Sequence, residues 1–373
     1  MSRIIAAGIR RTTRLLGPRA QAKSVRRVQK AMVSAMISAA FAPLTAPKPK
    51  PLKARNVVQR ATPSVAKRRT PKDLPVDTAP RPVPMPDNPK TAQYLSRRHS
   101  CSAGTRSFKL YLPATRGDQP TGLIVMLHGC NQTPDDFAAG THMNALAEKY
   151  SLAIAYPAQA LRDNPAGCWN WFKPGDQARG AGEPAILASL TRKLMREFGL
   201  TRDAVFVAGL SAGGAMAAIL ADVYGDVFSA AGVHSGLARG SASNVVSAMS
   251  AMRSGGRSLR HVPAATGPRH AVRRIVFHGD SDSTVHPSNA AQIVEAAVGK
   301  AVVPVRMDNR SLRERGYARH DFAAADGNGA LELWMIDGGG HAWSGGRAVG
   351  SYTERSGPDA SAQMVRFFLQ EVC

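Results

Sequence analysis

Ser211 stands in the turn Gly209-Leu210-Ser211-Ala212-Gly213, between the apolar run Ala204–Ala208 and a small-residue helical pattern, Gly214–Leu220. Strand, sharp turn and helix form the context in which a G-x-S-x-G pentapeptide exposes a serine hydroxyl as a nucleophile. The pentapeptide by itself is common, and a tight turn of small residues would also contain it. A serine hydroxyl is a poor nucleophile at neutral pH and needs a base, and the base needs a group to orient it. His341 follows three glycines, Gly338-Gly339-Gly340, and is the candidate base; otherwise it is a surface-loop histidine. Asp282 lies in the polar loop after His278 and is the candidate orienting acid. Asp280 is its rival, in which case Asp282 is a turn-former. His128 and His278 each end an apolar run and read as local hydrogen-bonding groups rather than bases. The acyl-transfer chemistry that this set suggests also needs donors for an oxyanion. Gly129 would let the chain turn so that the Cys130 amide points into the site, with the Ala212 amide as second donor.

These residues are useful only if separate elements carry them to one place. Leu123–Leu127, Ala204–Ala208, Arg274–Phe277 and the alternating Leu331–Ile336 read as strands, and each runs into one of the polar loops. Open α/β sheets place their sites at such carboxyl ends. The wider pattern predicts strands near 106–112, 122–128, 151–156, 203–209, 228–234, 273–278 and 330–336. It predicts helices near 136–149, 183–198, 213–224, 288–299 and 359–371. Glu183, before Pro184, reads as a helix-start residue favoured by the dipole. Residues 238–272 form a Gly/Ser/Arg-rich insertion, with one short helix over Val245–Met252, that is either a lid or a mobile surface loop.

Four segments together resemble poly(3-hydroxybutyrate) depolymerase-type esterases, a group that includes feruloyl and acetyl-xylan esterases. They are His128-Gly129-Cys130-Asn131-Gln132-Thr133-Pro134-Asp135-Asp136-Phe137, Cys168-Trp169-Asn170-Trp171-Phe172, Arg179-Gly180-Ala181-Gly182-Glu183-Pro184, and Gly340-His341-Ala342-Trp343-Ser344-Gly345. The resemblance covers roughly residues 101–373. It implies an α/β-hydrolase fold with a mostly parallel, doubly wound sheet, and a serine carboxylesterase without metal or cofactor. Carried over by position, it implies a triad of Ser211, Asp282 and His341, with Cys130 and Ala212 at the oxyanion hole. Asn131, Trp169, Trp171 and Trp343 are the candidate substrate-contacting residues, with core packing the alternative for Trp171. The implied partner is an ester: a hydroxyalkanoate polyester or its oligomers, or a plant-wall ester. No appended polymer-binding domain is evident, which sets the chain apart from depolymerases that attack solid polymer. A peptidase or lipase on the same fold, or an inactive hydrolase domain carried to a surface, are the other readings.

The charge is divided unevenly. The chain has 373 residues and a formal net charge of +23. Residues 1–98 carry 22 Lys and Arg against Asp73, Asp77 and Asp87, so the high pI belongs to this extension and not to the 99–373 catalytic domain. Twelve prolines fall in residues 43–89, a composition expected to be disordered or polyproline-like. The basic stretch 1–30 and the small-residue run Ala31–Ala42 read as a signal with an overlong leader, or as an arm for an anionic surface such as a membrane or polymer granule. Nucleic acid is not the expected partner. Cys130 and Cys168 are predicted to form a disulfide that pins the Trp-rich loop beside the site, and Cys101 and Cys373 a second bridge, although four cysteines allow three pairings. Disulfides would mean an oxidising compartment, extracellular or periplasmic. The alternative is a cytoplasmic, granule-associated protein. Neither C-x-x-C nor paired Cys/His spacing points to a metal.

Overall fold

Leu123, Val125 and Leu127 alternate with Ile124 and Met126, and the two sets enter different hydrophobic clusters on opposite sides of one strand. A strand apolar at every position is the signature of a sheet covered on both faces. The computed structural model describes residues 91–255, 270–298, 304–310, 315–323 and 330–370. The basic extension through residue 90 and its signal or anchor readings lie outside them, as do Cys373 and residues 256–269 of the insertion.

Twelve strands are present among the described residues: β1 (Gln93–Cys101), β2 (Gly104–Leu112), β3 (Gly122–Leu127), β4 (Leu152–Pro157), β5 (Val205–Leu210), β6 (Ala230–His234), β7 (Arg273–Gly279), β8 (Arg306–Arg310), β9 (Tyr317–Ala323), β10 (Ala330–Ile336), β11 (Trp343–Ser344) and β12 (Thr353–Glu354). Ten form one sheet in the order β1-β2-β4-β3-β5-β6-β7-β10-β9-β8. The six central strands, β4 to β10 in that order, run parallel, and the two edges are antiparallel. The helices are α1 (Pro134–Thr141), α2 (Met143–Tyr150), α3 (Gly182–Phe198), α4 (Ala212–Val223), α5 (Val245–Ser254), α6 (Ser288–Val298) and α7 (Ala360–Phe368). Apolar residues of α3, α4 and α5 join one cluster; those of α1, α2 and α7 join the other. The sheet is therefore doubly wound. The chain goes from β3 to β4 on one side and returns past β3 to β5, so the order reverses between β3 and β5, where open α/β sheets bind ligands.

One helix and five strands differ from the sequence reading. The helix expected over 136–149 is two helices, broken at His142 (φ 57°). There the Gly140 carbonyl accepts from the Arg347 amide, and a Cβ on Gly140 would come within 2.8 Å of Thr353. The packed loop takes the carbonyl that would have continued the helix. Strands β1, β8, β9, β11 and β12 were not expected. β1 pairs residue for residue with β2 from Gln93, so the sheet begins inside the segment assigned to the extension. The basic composition ends later than the hydrogen bonding begins.

Candidate active site

The β5 strand ends directly in Ser211, whose backbone sits at φ 57°, ψ −119°. A non-glycine residue there costs about 1–3 kcal/mol and persists only when its surroundings impose it. They do so at close range. A Cβ on Gly213 would lie 2.1 Å from the Leu127 carbonyl, and one on Gly209 would lie 2.4 Å from the Gly213 backbone. The glycines let α4 start against the ends of β3 and β5. The Ser211 amide donates to the His234 carbonyl at 2.8 Å, which ties the turn to β6.

Asp282 and His341 meet by a second close approach. A Cβ on Gly279 would lie 2.2 Å from the Gly339 carbonyl, so the loops after β7 and β10 touch backbone to backbone. The Ser281 amide donates to Gly339 at 3.0 Å, and the Asp280 amide to Ile336 at 3.1 Å. His341 Nδ1 then donates to Asp282 Oδ2 at 2.7 Å. Asp282 Oδ1 accepts from the amides of Thr284 and Val285 at 2.9 and 2.8 Å. Burial pushes the Asp282 carboxyl up, but the bond to and charge of His341, the Val285 amide and nearby His278 outweigh it and hold its pKa below the usual carboxylate range. Asp280 is exposed and accepts from the Gly338 amide at 2.7 Å instead. It fastens the His341 loop rather than touching the imidazole.

With Nδ1 committed to Asp282, His341 Nε2 is the proton-accepting nitrogen. It is buried and has no hydrogen-bond partner among the described residues, the Ser211 hydroxyl included. Such bonds are often long without substrate and tighten around it. The amides of Cys130 and Ala212 likewise have no partner among the described residues. Two unpaired amides, a hydroxyl on a strained turn and an imidazole with a free acceptor thus share the carboxyl edge of the sheet.

The Cys130 side is held by side chains. Cys130 is disulfide-bonded to Cys168. Gln132 Oε1 accepts from the Gly129 amide at 2.9 Å, while Gln132 Nε2 donates to Asp136 Oδ2 and the Ser351 carbonyl, both at 3.0 Å. His128 Nδ1 donates to the Gly129 carbonyl at 2.8 Å, and its Nε2 accepts from the Gln159 amide at 3.1 Å. Complete burial holds the His128 pKa down at about 4, so the ring is neutral. Beneath this, Arg106 (2% exposed) pairs with Glu183 Oε1 at 3.1 Å and Asp163 at 2.6 Å. Glu183 Oε2 accepts from the Asn170 amide at 2.7 Å, and Glu183 also bonds the Asn170 and Gln159 side chains. Its carboxylate is the hub beneath the Trp-rich loop, well beyond a helix-start role.

Of the candidate substrate-contacting residues, Trp171 lines the apolar pocket beside Ser211. Trp169 and Trp343 do not. Trp169 is fully buried, donates to the His128 carbonyl at 3.1 Å and lies under Arg106. Trp343 is sealed in the core on the other side, donating to Ser361 Oγ at 3.0 Å and edge-on to Phe137. Their indole N–H groups are already satisfied inside the protein, which is what lets such large side chains be buried whole. Asn131 is exposed on a left-handed turn (φ 60°), outside the pocket lining, where its amide donates to Ala166 at 3.0 Å. Cys101 bonds no cysteine among the described residues.

His234 was missed by the sequence reading. Its carbonyl takes the Ser211 amide, its Nε2 accepts from the Ser344 amide at 3.0 Å, and its ring stacks between Phe277 and Trp343. Burial, then the nearby His278 and His341, hold its pKa down at about 3. The only sequence signal was a histidine ending an apolar strand. Among the described residues no cluster of three or more His, Cys, Asp or Glu could hold a metal, and no helix is long and apolar enough to cross a membrane.

A family model described as Esterase PHB depolymerase matches residues 106–319. Poly(3-hydroxyalkanoate) depolymerase C of Paucimonas lemoignei is 31% identical over 231 residues, covering 59% of this chain and 54% of that protein. Feruloyl esterase B of Neurospora crassa is 28% identical, covering 50% of this chain and 66% of that protein. The chain thus spans about half to two thirds of the length of these relatives. The solved acetyl xylan esterase from Aspergillus awamori superposes with a TM-score of 0.55 at 19% identity, over 67% of this chain and 93% of that one, and shares the α/β-hydrolase fold.

Proposed function

The chain belongs to the Esterase PHB depolymerase family, and on that premise we propose that it is a serine carboxylesterase working through an acyl-enzyme. The observation that carries the proposal is the 2.7 Å bond between His341 Nδ1 and Asp282, which leaves Nε2 unpaired at the sheet edge that bears Ser211. In the first step His341 Nε2 takes the Ser211 proton as Oγ attacks the ester carbonyl. The Cys130 and Ala212 amides stabilise the oxyanion; one such donor is worth about 10²–10³ in rate. The intermediate collapses, and His341 gives the proton to the departing alcohol. Water then attacks the acyl-enzyme by the same route and frees the acid. Asp282 holds the imidazole tautomer and stabilises its charged form without taking the proton.

The named relatives act on hydroxyalkanoate, feruloyl and acetylxylan esters. The apolar lining beside Ser211 favours an ester with an apolar part, with hydroxyalkanoate polyester or its oligomers as the first candidate. The Cys130–Cys168 bond supports an oxidising compartment, outside the cell or in the periplasm. Ser211→Ala is expected to lower hydrolysis of p-nitrophenyl butyrate by at least about 10⁴-fold with an unchanged circular-dichroism spectrum. A variant that keeps most of its activity would remove Ser211 as the nucleophile.

A further inference from the structure

We propose that helix α5, from the insertion after β6, is the specificity element of this site, with Ala248, Met249 and Met252 measuring the apolar half of the ester. The proposal rests on the esterase reading above and adds what the pocket accepts.

Val245, Ala248, Met249 and Met252 all line the pocket that contains Ser211. Their spacing places them on one face of the helix. The facing side is aromatic, from Trp171 and Phe172. Apart from Ser211 and the indole N–H of Trp171, the polar side chain in the lining is Asn164, and it is already engaged. Its Oδ1 accepts from the Ala166 amide at 3.0 Å and its Nδ2 donates to Asn170 at 3.3 Å. A sugar ring in this pocket would bury several hydroxyls with little beyond the Trp171 indole N–H to pair them. An alkyl chain or an aromatic ring loses nothing of that kind.

A wall measures only if it stays in place, and α5 is fastened at both ends. At its entrance Gln177, itself buried, accepts from the Gly240 amide and donates to the Ala242 carbonyl, both at 2.9 Å. Asn244 then caps the helix through the Ser247 amide at 2.9 Å, and Ser247 returns the bond. At its exit the fully buried Asn289 donates to the Ala251 carbonyl at 3.0 Å, and the His286 amide donates to Met252 at 2.7 Å. Of the two roles expected for the insertion, lid or mobile loop, these fastenings match neither over α5. Ala248 is the smallest residue on the lining face, so it sets the depth beside Ser211. Met252 is a longer side chain that can be shortened.

The test is kcat/KM across two series: p-nitrophenyl acetate, butyrate and hexanoate, which vary the acyl side, and ethyl, butyl and hexyl acetate, which vary the alcohol. Ala248→Leu is expected to lower the ratio of longest to shortest ester by about tenfold or more in one series, since a single excluded methylene is worth that much. The series that responds identifies the half that enters. Met252→Ala is expected to raise the same ratio. Val246→Lys, on the exposed side of the same helix, should leave both series unchanged. Ratios unmoved by both Ala248→Leu and Met252→Ala, in variants with native circular dichroism, would overturn the proposal. Ser211→Ala assayed alongside keeps the two readings apart: if it is inert while the ratios stay fixed, the esterase survives and the measuring wall does not.

Discussion

Asp282 and His341 are brought together by backbone meeting backbone, whereas Cys130 is held from behind by side chains. On the first side, Gly279 and Gly339 press together with no room for a Cβ, and main-chain hydrogen bonds lock the two loops before the side chains meet. On the second, a disulfide, the Gln132 carboxamide, the His128 ring and the Glu183–Arg106 hub fix where the Cys130 amide lies. The proposed acid–base pair thus depends on residues that have no side chain. The proposed oxyanion donors depend on residues to which the proposal gives no chemistry. Damage to one side should leave the other working, and this independence can be attacked directly.

The largest expected effect separates the two carboxylates on the backbone-held side. Asp282→Asn should lower kcat by about 10⁴, because an amide stabilises the wrong imidazole tautomer. Asp280→Asn retains an acceptor for the Gly338 amide and should cost far less. Steady-state kinetics on p-nitrophenyl butyrate compares them, and a larger loss for Asp280→Asn than for Asp282→Asn would mean that Asp280 orients the base. Next comes the side-chain-held half. Replacing Cys130 and Cys168 together by Ser opens a loop with a sequence separation of 38. Chain entropy puts its contribution at about 4 kcal/mol, measurable by urea unfolding. If the halves are independent, kcat falls while the pH dependence of kcat/KM stays in place. A shifted pH profile would show that the halves are coupled.

The smallest effect concerns pH. Burial holds His128 and His234 neutral, with folded pKa values of about 4 and about 3, below the ordinary 6.5. As pH falls the unfolded chain takes up these protons first. The stability that comes from keeping the rings neutral is complete above about pH 6.5 and is lost as pH drops toward those lower values. For His128 alone the loss approaches about 3 kcal/mol at its lower limit. Protonation also removes the acceptor for the Gln159 amide, so the oxyanion side should loosen on acidification. Urea midpoints at pH 7.5 and pH 5 should therefore fall in that order; a flat profile would contradict the neutral-ring assignment.

The same contrast decides what could be read from the residues. The Ser211 turn was legible because an apolar strand, two obligatory glycines and a small-residue helix are contiguous. The Gly338-Gly339-Gly340 run before His341 signalled a close approach in the same way. The Arg106–Glu183 hub was illegible: its members are 77 positions apart, and nothing local marks Glu183 as buried. Trp169 and Trp343 look like pocket residues in a list of motifs, yet their indole N–H groups had partners at residues 128 and 361. Strand β1 at one edge and β9, next to the other edge, escaped notice because they carry charged and half-exposed side chains without a continuous apolar face, and only the ladder hydrogen bonds define them.

Evolvability meets a boundary at the turn at residue 211. Glycine would adopt its dihedral angles without complaint, so on the proposed mechanism selection for thermal robustness alone would drift toward glycine there and silence the enzyme. On that reading serine at this position is an optimum for turnover and not for folding.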